Sequence, residues 1–265
     1  MAINWFPGHM AKTLRDIQSI KNVDVIIEVV DARAIQTSIN KELTKTFNKP
    51  KLVVALKSDL SDISDIETTD NLLLGSIKNR KFKNQVIQAL DNIFLTKKQQ
   101  LKSKGLIHPQ FYGLVIGLPN VGKSSLINFL GTKTKMVTAN LPGVTKNRQL
   151  VKINDEYFLY DTAGVLHKRI HNDIDGYKLA LIGAIKKEIL PLSDVVQWGY
   201  SYLRRNYPHL LLPNTNNLNF VSYIETICNK YKFFKSNLEM DSERGINFLY
   251  NSWINNLKVN YEKEN

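Results

Sequence analysis

The sequence predicts an α/β fold, a mostly parallel sheet with helices on both faces, followed by an all-α C-terminal region. Three observations carry that expectation. Apolar, β-branched runs at Val23–Val30 and Lys51–Leu56 alternate with stretches of helical spacing, the pattern of strand–helix–strand units in a parallel sheet. A third run, Phe111–Ile116, leads into Gly117-Leu118-Pro119-Asn120-Val121-Gly122-Lys123-Ser124 and then into the amphipathic start Ser125–Leu130. From about Asp173 onward the apolar spacing is helical alone.

The octapeptide fits G-x-x-x-x-G-K-[ST] at every fixed position and has the strand–loop–helix context that this motif requires. In such a loop the glycines let backbone N–H groups turn inward as an anion nest, and the helix N-terminus adds positive partial charge. Lys123 is placed to reach β/γ-phosphates, and the Ser124 hydroxyl to bind Mg²⁺. The candidate phosphate-binding residues are Asn120, Val121, Gly122, Lys123, Ser124 and Ser125. The competing reading is a chance glycine-rich turn.

Composition narrows the partners. The 265 residues leave room for one large or two modest domains. A net charge of +12 favours a polyanion, with nucleic acid first; a solvated basic surface is the other reading. Cys228 is the single cysteine, which excludes an internal disulfide and a cysteine-based zinc cluster and suits a reducing compartment. No apolar run approaches membrane-spanning length. The expectation is a soluble cytoplasmic protein.

Taken in order, Asn4–Met10 is dense in rare residue types. Pro7 and Gly8 predict a loop there, with Trp5 and Phe6 as an apolar anchor and a helix from about Ala11 to Ile20. His9 is either a polar residue beside that anchor or a functional group. The strand Val23–Val30 ends in Asp31-Ala32-Arg33, at the edge where open α/β sheets place their ligand loops. A helix over Ser38–Phe47, a turn at Asn48–Pro50 and the strand Lys51–Leu56 follow.

That strand runs into Lys57-Ser58-Asp59. A lysine stem lying over a purine face, with a carboxylate accepting from N1–H and the 2-amino group, recognises guanine; adenine lacks that donor pair. Alone, the triplet fits a solvated loop equally well. Leu72–Leu74 reads as a short strand before a loop at Gly75-Ser76, about Lys83–Lys98 as a helix, and the basic stretch Lys97–Gly105 as a linker. Beyond the phosphate loop, Glu156–Tyr160 is a strand ending in Asp161-Thr162-Ala163-Gly164. In that motif the aspartate holds the Mg²⁺ shell and the glycine N–H approaches the γ-phosphate, no Cβ intervening. Thr145, in the Pro142-Gly143 loop, has a hydroxyl of the right kind for Mg²⁺ and is by itself equally a turn residue.

These motifs stand in an unusual order, and the chain resembles the circularly permuted ribosome-assembly GTPase A family, the YlqF/RbgA type. The resemblance runs over nearly the whole chain: Trp5-Phe6-Pro7-Gly8-His9-Met10-Ala11-Lys12, Asp31-Ala32-Arg33, Gly117–Asn128, Pro142–Thr145, Asp161–Gly164 and Gly183–Lys186. It implies a circularly permuted P-loop GTPase domain over 1–170 and a helical RNA-binding domain over 171–265. It also implies GTP hydrolysed to GDP with Mg²⁺, and the large ribosomal subunit precursor and its rRNA as partner. By the same resemblance His9 positions the attacking water, Lys123, Thr145 and Gly164 complete the catalytic set, Lys57, Ser58, Asp59 and Ser76 hold the base, and Asn120 coordinates K⁺. The free chain is expected to be a monomer. Two departures stand out. Leu56 replaces the asparagine that opens the family's guanine motif, which predicts weaker nucleotide affinity with guanine preference kept by Asp59. Val165 occupies the place where many GTPases carry a water-orienting glutamine.

In the C-terminal region, Ile174, Tyr177, Leu181, Ile182 and Ile185 predict one helix, and Ser193 caps a second that stops at Pro208. Phe220, Val221, Ile224, Ile227 and Tyr231 mark a third, and Ile246, Leu249, Tyr250, Trp253 and Ile254 a fourth. These residues are the expected core. Arg204, Arg205, Lys230, Lys232, Lys235 and Arg244 lie off the stripes, either as phosphate contacts or as solvated charge.

Overall fold

The computed structural model describes residues 8–131, 149–167, 170 and 172–263, with backbone alone at 8–10. Residues 1–7 and 132–148, and with them the expected Trp5/Phe6 anchor and Thr145, lie outside the described residues.

The strands are β1 (Val25–Asp31), β2 (Lys51–Leu56), β3 (Leu72–Leu74), β4 (Phe111–Gly117), β5 (Gln149–Lys152) and β6 (Tyr157–Asp161). They form one sheet in the order β3-β2-β1-β4-β6-β5, parallel except for β5, which pairs antiparallel with β6 at the edge. All seven residues of β1 are buried, because helices cover both faces. Val25, Ile27 and Val29 pack with Phe82, Val86 and Leu90 of α4 (Lys81–Ser103) and with Leu126 and Ile127 of α5 (Lys123–Leu130). Ile26, with Leu114 and Ile116, packs with Ile17 of α1 (Gly8–Gln18).

Helix α1 begins at Gly8, so Gly8 and His9 belong to its first turn rather than to the expected loop. The helix expected over Ser38–Phe47 is two short ones, α2 (Ile35–Ser38) and α3 (Lys41–Thr44). The break has a cause in Glu28, fully buried in β1: its Oε1 takes the Asn40 N–H at 2.7 Å. Asn40 then restarts the helix by accepting the Leu43 N–H on its side-chain oxygen. The linker expected at Lys97–Gly105 is mostly the last turns of α4. No glycine or proline interrupts it before Gly105, Lys97 pairs with Asp24 at 2.7 Å, and Lys98 pairs with Asp91 and Glu156 at 2.6 Å each.

Four helices follow, α6 (Asp173–Leu181), α7 (Leu192–Asn206), α8 (Phe220–Tyr231) and α9 (Ser242–Asn256). Helix α6 ends before Ile182 and Ile185, since Gly183 turns the chain at φ +76°. Ser193 lies inside α7, which starts after Pro191, so it is not the cap expected of it. Leu181, Val195, Leu203, Ile227, Leu249 and Trp253 share one continuous apolar core with the α4/α5 side of the sheet. Ile174, Val221 and Tyr231, expected in that core, are exposed; each lies near a helix end, where the stripe runs out beyond its packing partner.

The tail returns to the N-terminal third. Tyr261 N–H donates to the Arg33 carbonyl at 2.7 Å and Val259 N–H to the Leu60 carbonyl at 3.2 Å. The Glu262 carboxylate accepts the N–H groups of Gln36 and Thr37 at 2.8 and 2.6 Å. No helix of the described residues is long and apolar enough to cross a membrane.

Candidate active site

The expected motifs gather at the carboxyl edge of the parallel strands, where open α/β sheets bind ligands. Strand β4 ends at Gly117, whose φ of +148° and approach to β1 leave no room for a side chain: a Cβ there would sit 2.2 Å from the Val29 carbonyl oxygen. Leu118 and Val121 anchor the loop in the core, and Asn120 and Gly122 take left-handed conformations at φ 59° and 104°. Gly122 is the N-cap of α5, so the loop's N–H groups converge with the helix N-terminus. Asn120, Lys123, Ser124, Ser125 and Gly164 are among the residues lining a cavity of about 470 Å³.

Lys123 is 6% exposed and donates to the Leu118 carbonyl at 2.7 Å. Burial pushes its pKa down to about 8, against the opposing pull of Asp161. Asp161 ends β6, and its Oδ1 is buried without a hydrogen-bond partner among the described residues. Thr162 Oγ1 donates to the Val115 carbonyl at 2.6 Å and Val165 N–H to the Gly117 carbonyl at 3.1 Å. Between those two ties lies Gly164, where a Cβ would meet Pro119 N and Cα at 2.6 Å. Val165 is buried with Ile17 and Leu150, so its side chain faces the core and not the cavity.

Lys57 follows β2 in a left-handed conformation at φ 64°, and Ser58 and Asp59 form a short 3-10 turn after it. The Lys57 ammonium reaches the Asn120 carbonyl at 3.0 Å and Asp31 Oδ2 at 2.7 Å, joining the base turn to the phosphate loop. Ser58 N–H donates to the Gly75 carbonyl at 3.2 Å, which brings buried Ser76 beside Asp59. Burial would raise the Asp59 pKa, but bonds from Lys78, at 2.6 Å, and Ser76 hold the carboxyl below the usual range. Leu56 is buried and lies against Gly122, a Cβ on that glycine falling 3.0 Å from Leu56 Cδ1. An apolar contact with the phosphate loop thus stands at the position where the resemblance puts an asparagine.

Of the sequence-derived candidates, Lys57, Ser58, Asp59, Ser76, residues 120–125, Asp161 and Gly164 lie on one edge. For His9 the backbone alone is described, in the first turn of α1, and Thr145 lies outside the described residues. Asn120 has its amide nitrogen bonded to the Gly183 carbonyl at 2.9 Å, leaving the amide oxygen as the atom a cation would take. Sequence reading missed Lys78 as the partner of Asp59. It also placed Asp31 and Arg33 at a ligand edge; they turn inward instead, as a buried ion pair of 2.9 Å. Burial alone would raise the Asp31 pKa, but Arg33 and Lys57 outweigh it and hold the carboxyl low.

With an aspartate held ionised in the turn that Lys57 ties to the phosphate loop, the arrangement suits a guanine rather than an adenine, and the class is that of the P-loop GTPases. The base turn precedes the phosphate loop in the chain, so the domain is circularly permuted. A family model described as 50S ribosome-binding GTPase matches residues 113–206. The chain is 48% identical over 212 residues to the Probable ribosome biogenesis GTPase A of Mycoplasma pneumoniae, covering 79% of this chain and 77% of that one. It is 39% identical over 265 residues to the Mycoplasma genitalium protein of the same name, covering 98% and 96%, and 36% identical over 222 residues to Ribosome biogenesis GTPase A of Bacillus licheniformis, covering 80% and 78%. Among solved structures, GNP-bound YlqF from T. maritima matches with a TM-score of 0.63 over 92% of each chain at 19% identity, a likeness of fold. This chain belongs to the ribosome biogenesis GTPase A family, whose members are GTP hydrolases.

Proposed function

We propose that the chain hydrolyses GTP to GDP and phosphate when docked on the large ribosomal subunit precursor, and so promotes its late assembly in the cytoplasm. The observation that carries this reading is a single sheet edge holding the base turn, the phosphate loop and the Asp161 strand end, bonded to the helical region through Asn120 and Gly183. The description of the family model and the names of the relatives support the ribosome as the place of action. In this reading residues 1–170 are the GTPase domain and 171–265 a helical RNA-binding domain. Arg204, Arg205, Lys230 and Lys232 then face rRNA phosphates, and the free protein is a monomer.

Lys57, Ser58, Asp59 and Ser76 hold the guanine, and residues 120–125 the phosphates. The orphaned, buried Asp161 oxygen and the Ser124 hydroxyl on the cavity wall fit a hydrated Mg²⁺, which takes one or two protein oxygens and keeps several waters. Mg²⁺ there would neutralise charge developing on the β/γ oxygens. Thr145 is assigned to the same ion, and the Gly164 N–H to the γ-phosphate. His9 is assigned to orienting the attacking water, since the buried Val165 has no polar group to do so. The Asn120 amide oxygen is assigned to K⁺. GTP turnover with and without large subunits, in K⁺ and in Na⁺, tests the reading: a rise on adding subunits is expected, larger in K⁺.

The apolar Leu56 contact favours a second reading, a GTP-gated RNA-binding scaffold with negligible turnover. Flat, very low rates in that assay would support it. Crosslinks to a different structured RNA would move the same chemistry to another partner.

The phosphate assignment of Lys123 has a proton signature. Half of the Lys123 amines are neutral near pH 8 without nucleotide, and phosphate favours the ammonium. GDP binding at pH 8, where the terminal phosphate is already fully ionised, is therefore expected to take up a fraction of a proton, about half. Calorimetric titration in buffers of different ionisation enthalpy measures this, and zero uptake at pH 8 would mean either that phosphate does not reach Lys123 or that its ammonium is fully formed before nucleotide binds.

A further inference from the structure

Asp31 and Arg33 are 0% and 1% exposed at the end of β1, and the chemistry assigned above uses neither. Arg33 Nε and one terminal nitrogen donate to Asp31 Oδ1 and Oδ2, each at 2.9 Å. The same terminal nitrogen donates to the Ile182 carbonyl at 3.2 Å, and the other to the Ile254 carbonyl at 2.7 Å. These carbonyls stand at the C-cap of α6 and in the last turn of α9, where helix ends leave unpaired oxygens and negative partial charge. Asp31 Oδ2 also takes the Lys57 ammonium at 2.7 Å, and that ammonium reaches the Asn120 carbonyl at 3.0 Å. Asn120 bonds the carbonyl of Gly183, the residue after Ile182. The bonds close a ring from the base turn through β1 to the end of α6 and back through the phosphate loop.

Two features give this ring a task beyond holding the fold together. An ammonium on a flexible four-carbon stem has no direction of its own; a fixed carboxylate on one side and a fixed carbonyl on the other supply one. Asp31 and Arg33 would already form a complete fork-to-fork pair, yet the carboxylate also takes a second cation, the ammonium of Lys57, which opens the turn that carries Asp59.

We propose that Asp31 and Arg33 are positioning residues for guanine-nucleotide binding. Asp31, locked by Arg33, aims the Lys57 stem across the purine site, and Arg33 ties that aim to the seating of α6 and α9. The proposal rests on the assignment of Lys57 to the base, and the experiment separates the two. GDP affinity is measured for Lys57→Met, Asp31→Asn and the double variant. Each single change is expected to weaken binding about tenfold, and the double to match Lys57→Met within about twofold, the non-additivity of groups that act as one unit. A double variant weaker by the product of the single effects overturns the positioning role, because a general loss of fold integrity adds independently. No effect of Lys57→Met alone would instead sink the assignment of Lys57 to guanine.

Asp31→Asn leaves two cations around an uncharged amide and risks misfolding. Arg33→Lys keeps a cation beside Asp31 but loses the fork and the carbonyl bonds, and the same cycle is run with it. It is expected to weaken GDP in the parent and to change nothing on top of Lys57→Met; an equal loss in both backgrounds overturns the role. Amide exchange reads the tie to the helices. GDP is expected to slow exchange at the ends of α6 and α9 in the parent and not in Arg33→Lys, and equal slowing in both overturns that part of the proposal.

Discussion

Replacing Lys123 by methionine is expected to lower GTP hydrolysis by about 10²- to 10³-fold, the effect of removing one charged donor from a preorganised site. The same change is expected to raise the melting temperature of the nucleotide-free protein. Lys123 is 6% exposed and among the described residues its amine makes one hydrogen bond, to the Leu118 carbonyl, and burial lowers its pKa from 10.5 to about 8. At neutral pH the charged form therefore costs the fold on the order of 3 kcal/mol. Losing the bond to Leu118 costs about 1 to 2 kcal/mol, so burial wins. A net gain of about 1 kcal/mol corresponds to roughly 2 to 4 °C in a domain of this size. The sign also follows from pH. The unfolded chain binds more protons than the folded one between about pH 8 and 10.5, so this lysine makes the free protein more stable as pH rises through that window. Thermal melts of both proteins at pH 7 and pH 9, beside steady-state turnover, check the pair of effects. A melting temperature that falls at pH 7 would show that the loop depends on the ammonium even without phosphate.

Gly164→Ala is expected to reduce GTP hydrolysis about 100-fold, as expected for loss of one donor at developing charge, while GDP affinity stays within a factor of about three. The added Cβ would lie 2.6 Å from Pro119 N and Cα, both backbone, so no rotamer relieves it. One side has to move. The phosphate loop is fixed by the buried Leu118 and Val121, whereas the segment after Asp161 is held by Thr162 to Val115 and Val165 to Gly117. The Asp161–Gly164 segment yields, taking its N–H away from the γ-phosphate position and leaving the α- and β-phosphate contacts in place. Such overpacking costs about 1 to 3 kcal/mol of stability. Single-turnover hydrolysis with GDP binding measured alongside distinguishes this from a general loss of nucleotide. Equal losses of GTP and GDP affinity would place the damage in the phosphate loop.

How much of this was legible follows from which contacts are local. Lys51–Leu56 shows its strand at both ends because Pro50 stops the preceding turn and the charged Lys57 closes an apolar run. The phosphate loop declares itself because its glycines are required by backbone approach, to Val29 above all. The edge strand Gln149–Lys152 escaped, since two of its four residues are polar and its pairing with β6 is fixed by register rather than by pattern. Glu28 is a single polar residue within an apolar strand run, and its effect appears twelve residues later, where it takes the Asn40 amide and splits a helix. Asp31 and Arg33 were visible as a motif, but their meaning lies 149 and 221 residues away, at Ile182 and Ile254. No spacing rule reaches that far.

The returning tail bears on how the helical region can respond to nucleotide. That region is held at the turn after α6, where Gly183 meets Asn120, at Val259–Glu262, where the chain lies along Arg33, Gln36 and Leu60, and at Ile182 and Ile254, whose carbonyls Arg33 holds, all over an apolar core it shares with the sheet. A panel hung on one pin swings freely; a panel fastened at several points does not swing at all. Any nucleotide-driven movement of α7 and α8 then either undoes one of these fastenings or carries the strand ends along with it.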